Sequence, residues 1–99
     1  MYDMSKLGQL KHLEAAAPAA MKAFWEFDKL AFAPGALGGL EKQLIAVAVA
    51  LTTQCPYCLA LHTKAAREAG ATDAQLGETA MVAAAIRAGG AVTHATHLF

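Results

Sequence analysis

The sequence predicts an all-α fold, and three features support this prediction. Helix-favouring residue types dominate the chain, above all alanine and leucine together with methionine, lysine and glutamate. Apolar residues recur at helical spacing, with prolines where helices would begin and glycines where they would end. The links between the predicted helices are short, so sequential helices should pack as antiparallel neighbours. The 99 residues contain no repeat and no internal boundary, so we expect one domain over residues 1–99, with about five to six helices.

The first two helices are predicted to precede a glycine-rich loop. The residue pattern indicates a first helix over Lys6–Ala16. Pro18 suits the first turn of a second helix, which continues to about Phe32. The pairs Pro34-Gly35 and Gly38-Gly39 then mark a loop. The second helix carries aromatic residues that are typical of a core or interface and are also candidates to line a substrate pocket: Phe24, Trp25, Phe27 and Phe32.

The third helix is predicted from Leu40 to Thr53. Its apolar residues follow the i, i+3, i+4, i+7 spacing of a buried helical face; they are Leu44, Val47, Ala48 and Leu51. The run Ile45–Val49 widens that face and is also compatible with a short strand, because short apolar runs are ambiguous. The length of the segment and its flanking residues favour the helix.

Two further helices are expected after the third. Pro56 should open a fourth helix, which Gly70 closes. Thr72 should cap a fifth helix that extends to about Ala88. We expect Gly89-Gly90 to break or bend this helix before a last helical segment from Ala91.

The apolar content of the chain exceeds what a small domain can bury. Hydrophobic residues make up 57% of the chain before glycine is counted. Average soluble domains contain about 45–50% apolar residues with glycine included. Because a small domain has a high ratio of surface to volume, the excess should lie in subunit contacts. The sequence therefore predicts an obligate homo-oligomer.

Charge and hydropathy argue against two classes of partner. The formal net charge is zero and the eight lysine and arginine residues are scattered, so no basic stripe for nucleic acid is present. Charged residues near the N-terminus interrupt any apolar segment of a secretory signal. The uncharged stretch around the third helix has an apolar run of only Leu44–Leu51, too short for a membrane span. We expect a cytoplasmic protein that binds neither nucleic acid nor membrane.

The chemically informative motif is Cys55-Pro56-Tyr57-Cys58, followed by His62. On a helix, Cys55, Cys58 and His62 stand at i, i+3 and i+7 and share one stripe. With Cys55 at the N-cap, the free amide groups and the positive end of the helix favour a thiolate. His62 is placed to accept or relay the proton of Cys58. We predict that Cys58, as the better supported thiolate, attacks, and that Cys55 resolves the product into a disulfide, with no bound cofactor.

Three other interpretations of the cysteine pair fit less well. Zinc could be bound by both cysteines and His62, with His94 or His97 as fourth ligand, but zinc ligands usually come from separate elements. Haem attachment requires histidine directly after the second cysteine, where Leu59 stands. A thioredoxin-like domain requires strands around the motif and a later proline, whereas the following sequence is helical and contains no proline.

Three segments of the chain are similar to a known family. They are Gln43–Ala50, Cys55–Cys58 with His62, and Ala69–Thr72. Over roughly residues 37–97 they resemble the carboxymuconolactone decarboxylase-like superfamily, and within it the alkyl hydroperoxidase D branch. The resemblance implies an all-helical fold, an oligomer such as a trimer or hexamer, and thiol-dependent peroxidase or disulfide reductase activity. By matching positions it implies the same roles for Cys58, Cys55 and His62.

The chain departs from that family at one position. The family's proton relay usually begins with a glutamate on the helix before the cysteines, where this chain has Gln43. An amide can hold His62 by a hydrogen bond but cannot accept a proton at neutral pH. Glu41 should face elsewhere on the third helix. Glu78, on the fifth helix, is the other candidate carboxylate for the relay.

The sequence therefore predicts an enzyme that reduces a hydroperoxide or a disulfide through its dithiol. The family resemblance implies an external dithiol reductant, often a lipoyl-type protein. Two alternatives remain open. One is a helical oligomer without enzymatic activity, whose cysteines sense redox state or stabilise the assembly. The other is a cofactor-free lactone decarboxylase, which is less favoured because decarboxylases of the superfamily generally lack the cysteine pair.

Overall fold

A computed structural model of the chain describes residues 3–99 and confirms the all-α fold. Over these residues it contains five α-helices, two short 3₁₀ helices and no strand. The α-helices are α1 (Leu10–Ala16), α2 (Pro18–Phe32), α3 (Gly39–Thr53), α4 (Pro56–Glu68) and α5 (Asp73–His94), and the 3₁₀ helices span Met4–Gln9 and Ala95–Leu98. In the part of the chain that is described, no helix is both long enough and apolar enough to cross a membrane.

Proline and glycine set several helix ends as predicted. Pro18 and Pro56 are the first residues of α2 and α4, where the missing amide hydrogen of proline removes no helical hydrogen bond. Gly70 follows α4 with a φ of +103°, a conformation that glycine adopts without strain. The strand alternative for Ile45–Val49 is wrong, because this run lies inside α3.

The first predicted helix consists of two elements rather than one. Met4–Gln9 is a 3₁₀ helix, and the regular α-helix begins only at Leu10. The side chain of Asp3 caps the 3₁₀ segment by accepting a hydrogen bond from the Ser5 amide at 3.0 Å. Gly8 lies within this segment and weakens its helix propensity, which explains the late start of α1.

The expected break at Gly89-Gly90 is wrong, because α5 continues through both glycines to His94. Glycine inside a helix costs about 1 kcal/mol relative to alanine, which weakens a helix without ending it. Side chains of the last turn bind carbonyl groups at the glycines: the Thr93 hydroxyl donates to Gly89 at 2.7 Å, and His94 Nδ1 lies 2.9 Å from the Gly90 oxygen. The last helical segment is therefore a short 3₁₀ turn.

The core lies between α3, α4 and α5. α3 packs against both of the later helices, and the buried residues Val47, Ala66 and Ala71 form the centre of the contact. Ala66 is 0% exposed, so its small side chain lets α3 and α4 approach closely. α2 packs on α1 and also meets α3, where the Lys42 Nζ donates hydrogen bonds to the carbonyl groups of Ala31 and Ala33.

The chain exposes more surface than a compact monomer would. Its accessible area is 7242 Å², whereas a compact protein of 10.3 kDa exposes about 5,400 Å². Its radius of gyration is 16.4 Å, against about 13 Å for a compact domain of this length. Met81, Val82 and Ile86 on α5 are 69%, 62% and 70% exposed. The excess of about 1,900 Å² is comparable to the area that one subunit of an obligate oligomer buries.

We predict that Ile86→Lys disrupts a homo-oligomer. In a single chain this position is open to solvent, so lysine there should cost little, whereas in a subunit contact it would bury a charge. Light scattering coupled to size-exclusion chromatography should show an oligomer for the wild type and a smaller species for Ile86→Lys. Glu14→Lys, which reverses an exposed charge on α1, is the control and should leave the mass unchanged. A monomeric wild type at micromolar concentration would contradict the prediction.

We predict opposite effects of alanine at two glycines. Gly70→Ala should lower the free energy of unfolding by about 1 kcal/mol, because its φ of +103° strains any other residue. Gly89→Ala should raise it by about 0.5–1 kcal/mol, because alanine favours the helix. No atom lies within 4 Å of the added Cβ at either position, so neither change creates a clash. Urea denaturation at one protein concentration measures both changes in the free energy of unfolding. If the two changes had the same sign, the explanation from backbone conformation would be refuted.

Candidate active site

The turn between α3 and α4 brings the two cysteines together. α3 ends at Thr53, and the next residue, Gln54, has a φ of 57° that reverses the chain direction. Cys55 then takes an extended conformation and is the N-cap of α4, with Pro56 as the first helical residue. The Cys58 amide donates a hydrogen bond to the Cys55 sulfur at 3.3 Å. The two sulfur atoms are 2.7 Å apart, and both residues are partly buried free thiols.

The two thiols have unequal proton affinities. Hydrogen bonding with the Cys58 thiol, and then with the Cys58 amide, lowers the pKa of Cys55 below its ordinary value. The same hydrogen bond with Cys55, followed by burial and by the neighbouring charge of Cys55, raises the pKa of Cys58. We expected Cys58 to be the better supported thiolate, and the structure gives the reverse order. The physical reason is that the hydrogen bond between the two thiols favours the charge on Cys55, which also receives the Cys58 amide, while Cys58 is the more buried of the two.

His62 lies one helical turn beyond Cys58 and is held from two sides. Its Nδ1 is 2.8 Å from the Oε1 of Gln43 on α3. The ring of Phe32, at the end of α2, stacks on the imidazole with the ring centroids 4.9 Å apart and the planes 8° from parallel. Gln43 therefore contacts His62 as the sequence suggested. Within residues 3–99, no hydrogen bond joins His62 to either sulfur.

Cys58 and His62 open onto one cavity of about 660 Å³ between α2, α3 and α4. Most of its wall is apolar: Phe27, Ala31, Phe32, Leu37, Ile45, Ala46, Val49 and Ala50. Thr53 and Lys42 complete the lining. Of the four aromatic residues considered as pocket candidates, two line this cavity, whereas Phe24 and Trp25 pack edge to face with their centroids 5.2 Å apart. No pattern in the sequence predicts that Lys42 lines this cavity, because its position depends on how the end of α2 packs beside α3.

The remaining candidate residues lie away from the thiols. Glu78 lines a separate groove between α3 and α5 instead of the cavity that Cys58 and His62 share. His94 and His97 lie together near the end of the chain, with ring centroids 5.8 Å apart. Among the described residues, no group of three or more histidine, cysteine, aspartate and glutamate side chains is arranged to hold a metal ion.

The chain is similar in sequence and in structure to known proteins. The chain is 55% identical over 73 residues to "Uncharacterized protein 4 in cox locus" of Paracoccus denitrificans; the match covers 74% of this chain and 66% of that protein, just under two thirds of its length. A solved structure from Methanobacterium thermoautotrophicum superposes with a TM-score of 0.83 at 37% identity, covering 88% of this chain and 98% of that chain.

A second solved structure carries a family name. It is the apo form of a carboxymuconolactone decarboxylase family protein from Legionella pneumophila, with a TM-score of 0.77 and 32% identity over 83% of this chain and 73% of that chain. The sequence profile of the carboxymuconolactone decarboxylase family matches residues 18–99, which includes the cysteine motif and the whole of α2. The chain therefore belongs to the carboxymuconolactone decarboxylase family.

Proposed function

We propose that this chain is a thiol-dependent peroxidase and disulfide oxidoreductase, similar to the alkyl hydroperoxidase D branch of its family. The observation that carries the proposal is the pair of sulfurs 2.7 Å apart, one of which opens with His62 onto an apolar cavity. A pair at this separation can form a disulfide with little movement of the backbone. A cavity of about 660 Å³ with apolar walls suits an organic hydroperoxide.

In the first step, Cys58 attacks the hydroperoxide bound in the cavity. Its raised pKa means that the thiol must lose a proton, and His62 is the base that shares the cavity. The sulfur forms a bond to the terminal peroxide oxygen, the O–O bond breaks, and the leaving alkoxide takes up the proton to become an alcohol. Cys58 is oxidised to a sulfenic acid, and the hydroperoxide is reduced by two electrons.

In the second step, Cys55 resolves the sulfenic acid. Its lowered pKa supplies a thiolate beside Cys58, and this thiolate attacks the Cys58 sulfur. The S–O bond breaks, the oxygen leaves as water after protonation, and a disulfide forms. An external dithiol then reduces the disulfide by exchange and is itself oxidised. The family resemblance suggests a lipoyl-type protein as that reductant.

Dithiol–disulfide exchange without peroxide is a second candidate function. Two observations favour it: the lowered pKa of Cys55 at the open end of α4, and the amide of Gln43 where a proton-accepting carboxylate would assist peroxide chemistry. An amide cannot accept a proton, and general-base assistance is typically worth about 10²–10⁴-fold in rate. Slow peroxide reduction with efficient disulfide exchange would identify this second function.

We predict that Cys58→Ser abolishes consumption of cumene hydroperoxide by the reduced protein. Cys55→Ser is the matched control: it should consume one equivalent of peroxide and stop at a sulfenic acid on Cys58, because the resolving thiol is missing. A peroxide assay with dimedone trapping and mass spectrometry measures both. Full turnover by Cys58→Ser would overturn the proposal. Absence of peroxide and disulfide reactions in the wild type would favour the structural or redox-sensing oligomer.

We predict that Cys55 is alkylated before Cys58. At pH 7 the lowered pKa gives Cys55 the larger thiolate fraction, whereas Cys58, with its raised pKa, reacts only as the pH increases. Brief treatment with iodoacetamide between pH 6 and 9, followed by peptide mapping, measures the order. Cys58→Ala should slow alkylation of Cys55 at pH 7 by removing a side-chain donor, and Cys58→Ser should retain much of the rate. Earlier alkylation of Cys58 would contradict the assignment.

A further inference from the structure

The hydrogen bond between Gln43 and His62 determines which imidazole nitrogen carries the proton. The contact joins His62 Nδ1 to the carbonyl oxygen of Gln43, with a separation of 2.8 Å. A carbonyl oxygen accepts hydrogen bonds and cannot donate them, so Nδ1 must be the donor. In the neutral ring only one nitrogen carries hydrogen, which leaves Nε2 with a free lone pair.

The ring is also fixed in its plane. The Phe32 ring lies nearly parallel to the imidazole, at a centroid distance of 4.9 Å. Rotation out of this plane would break the stacking contact. A 180° flip about the Cβ–Cγ bond would leave the ring in the same plane and keep the stacking, but it would carry Nδ1 away from Gln43. The two contacts together therefore select one orientation and one tautomer.

We propose that Gln43 is a positioning residue that holds His62 as the Nδ1–H tautomer, so that Nε2 is the base for Cys58. This inference rests on the proposed thiol chemistry and adds a proton route to it. Because the amide cannot take up a proton, the proton from Cys58 remains on His62. It returns to the alkoxide formed when the O–O bond breaks. A single imidazole thus acts first as base and then as acid, without a carboxylate partner.

The side chains around the cavity fit a proton route that involves only Cys58 and His62. On α4 the titratable neighbours of His62 are Cys58 and, in contact with Cys58, Cys55. On α3 the charged neighbour is Lys42, whose Nζ binds carbonyl groups at the end of α2. α2 contributes Phe27, Ala31 and Phe32, and α5 contributes no lining residue. No carboxylate lines the cavity within the described chain, so none is placed there to receive the proton from His62.

The tautomer can be tested without any substrate. Nitrogen-15 NMR of the reduced wild type at alkaline pH should show His62 with protonated Nδ1 and unprotonated Nε2. Gln43→Leu keeps a similar side-chain volume but removes the acceptor, so the Nδ1–H signature should be lost or mixed with Nε2–H. His94 is the internal control: its Nδ1 bonds the Gly90 carbonyl, and its signals should not change. An Nε2–H signal for His62 in the wild type would overturn the inference.

The kinetic test uses the same position. Gln43→Leu should lower kcat for peroxide by about 10²-fold with KM nearly unchanged, the lower end of what a positioned base contributes. Gln43→Glu keeps the acceptor and should retain at least the wild-type rate at high pH. Its carboxylate favours the imidazolium, so the acid limb of the pH–rate profile should move upward by about one unit or more. Equal rates and pH profiles for all three proteins would refute the positioning role.

These two readouts separate the failure of this inference from the failure of the proposed function. An inactive wild type with the expected His62 signals would reject the peroxidase assignment and leave the tautomer intact. An active wild type whose His62 signals do not depend on Gln43 would retain the peroxidase and reject the role of Gln43.

Discussion

The chemistry of the candidate site depends on how α4 begins. Because Cys55 is extended and Pro56 is the first helical residue, the first turn of α4 leaves its amide groups free. One of them, from Cys58, binds the Cys55 sulfur. The hydrogen bond between the two thiols is the larger influence, and together with the amide it makes the sulfurs unequal: the pKa of Cys55 is lowered and that of Cys58 is raised. In the proposed mechanism the attacking sulfur has the raised pKa and therefore needs a base, whereas the resolving sulfur has the lowered pKa.

The helices around the cysteines supply position rather than reactivity. α3 and α4 carry the interacting side chains on regular helical backbone, which holds a site more firmly than loops do. α2 adds an apolar wall and an aromatic ring that packs on His62. The core behind them is thin and rich in alanine. The large exposed apolar area is consistent with a chain that gains stability from contacts outside its own fold.

Local chemistry was sufficient to predict some features and insufficient for others. Pro18 and Pro56 marked helix starts correctly, because proline is tolerated there and rarely further inside. The prediction of a break at Gly89-Gly90 was wrong, because the low helix propensity of glycine costs little free energy and the rest of α5 offsets that cost. The order of the thiol pKa values depends first on the hydrogen bond between the two thiols and then on which sulfur is more buried, and spacing along the chain contains neither quantity. The contact of Lys42 with the end of α2 depends equally on packing.

The close packing of α3 on α4 has a consequence for the distance that a side chain must bridge. Ala66 lies one turn after His62, Val47 lies one turn after Gln43, and these two apolar residues belong to the same buried cluster. The methyl group of Ala66 therefore works as a spacer that brings an amide within reach of an imidazole. Any bulkier residue there would push the helices apart and stretch that contact while touching no reacting atom. The small core residues thereby help to set the distance between the Gln43 amide and the His62 imidazole.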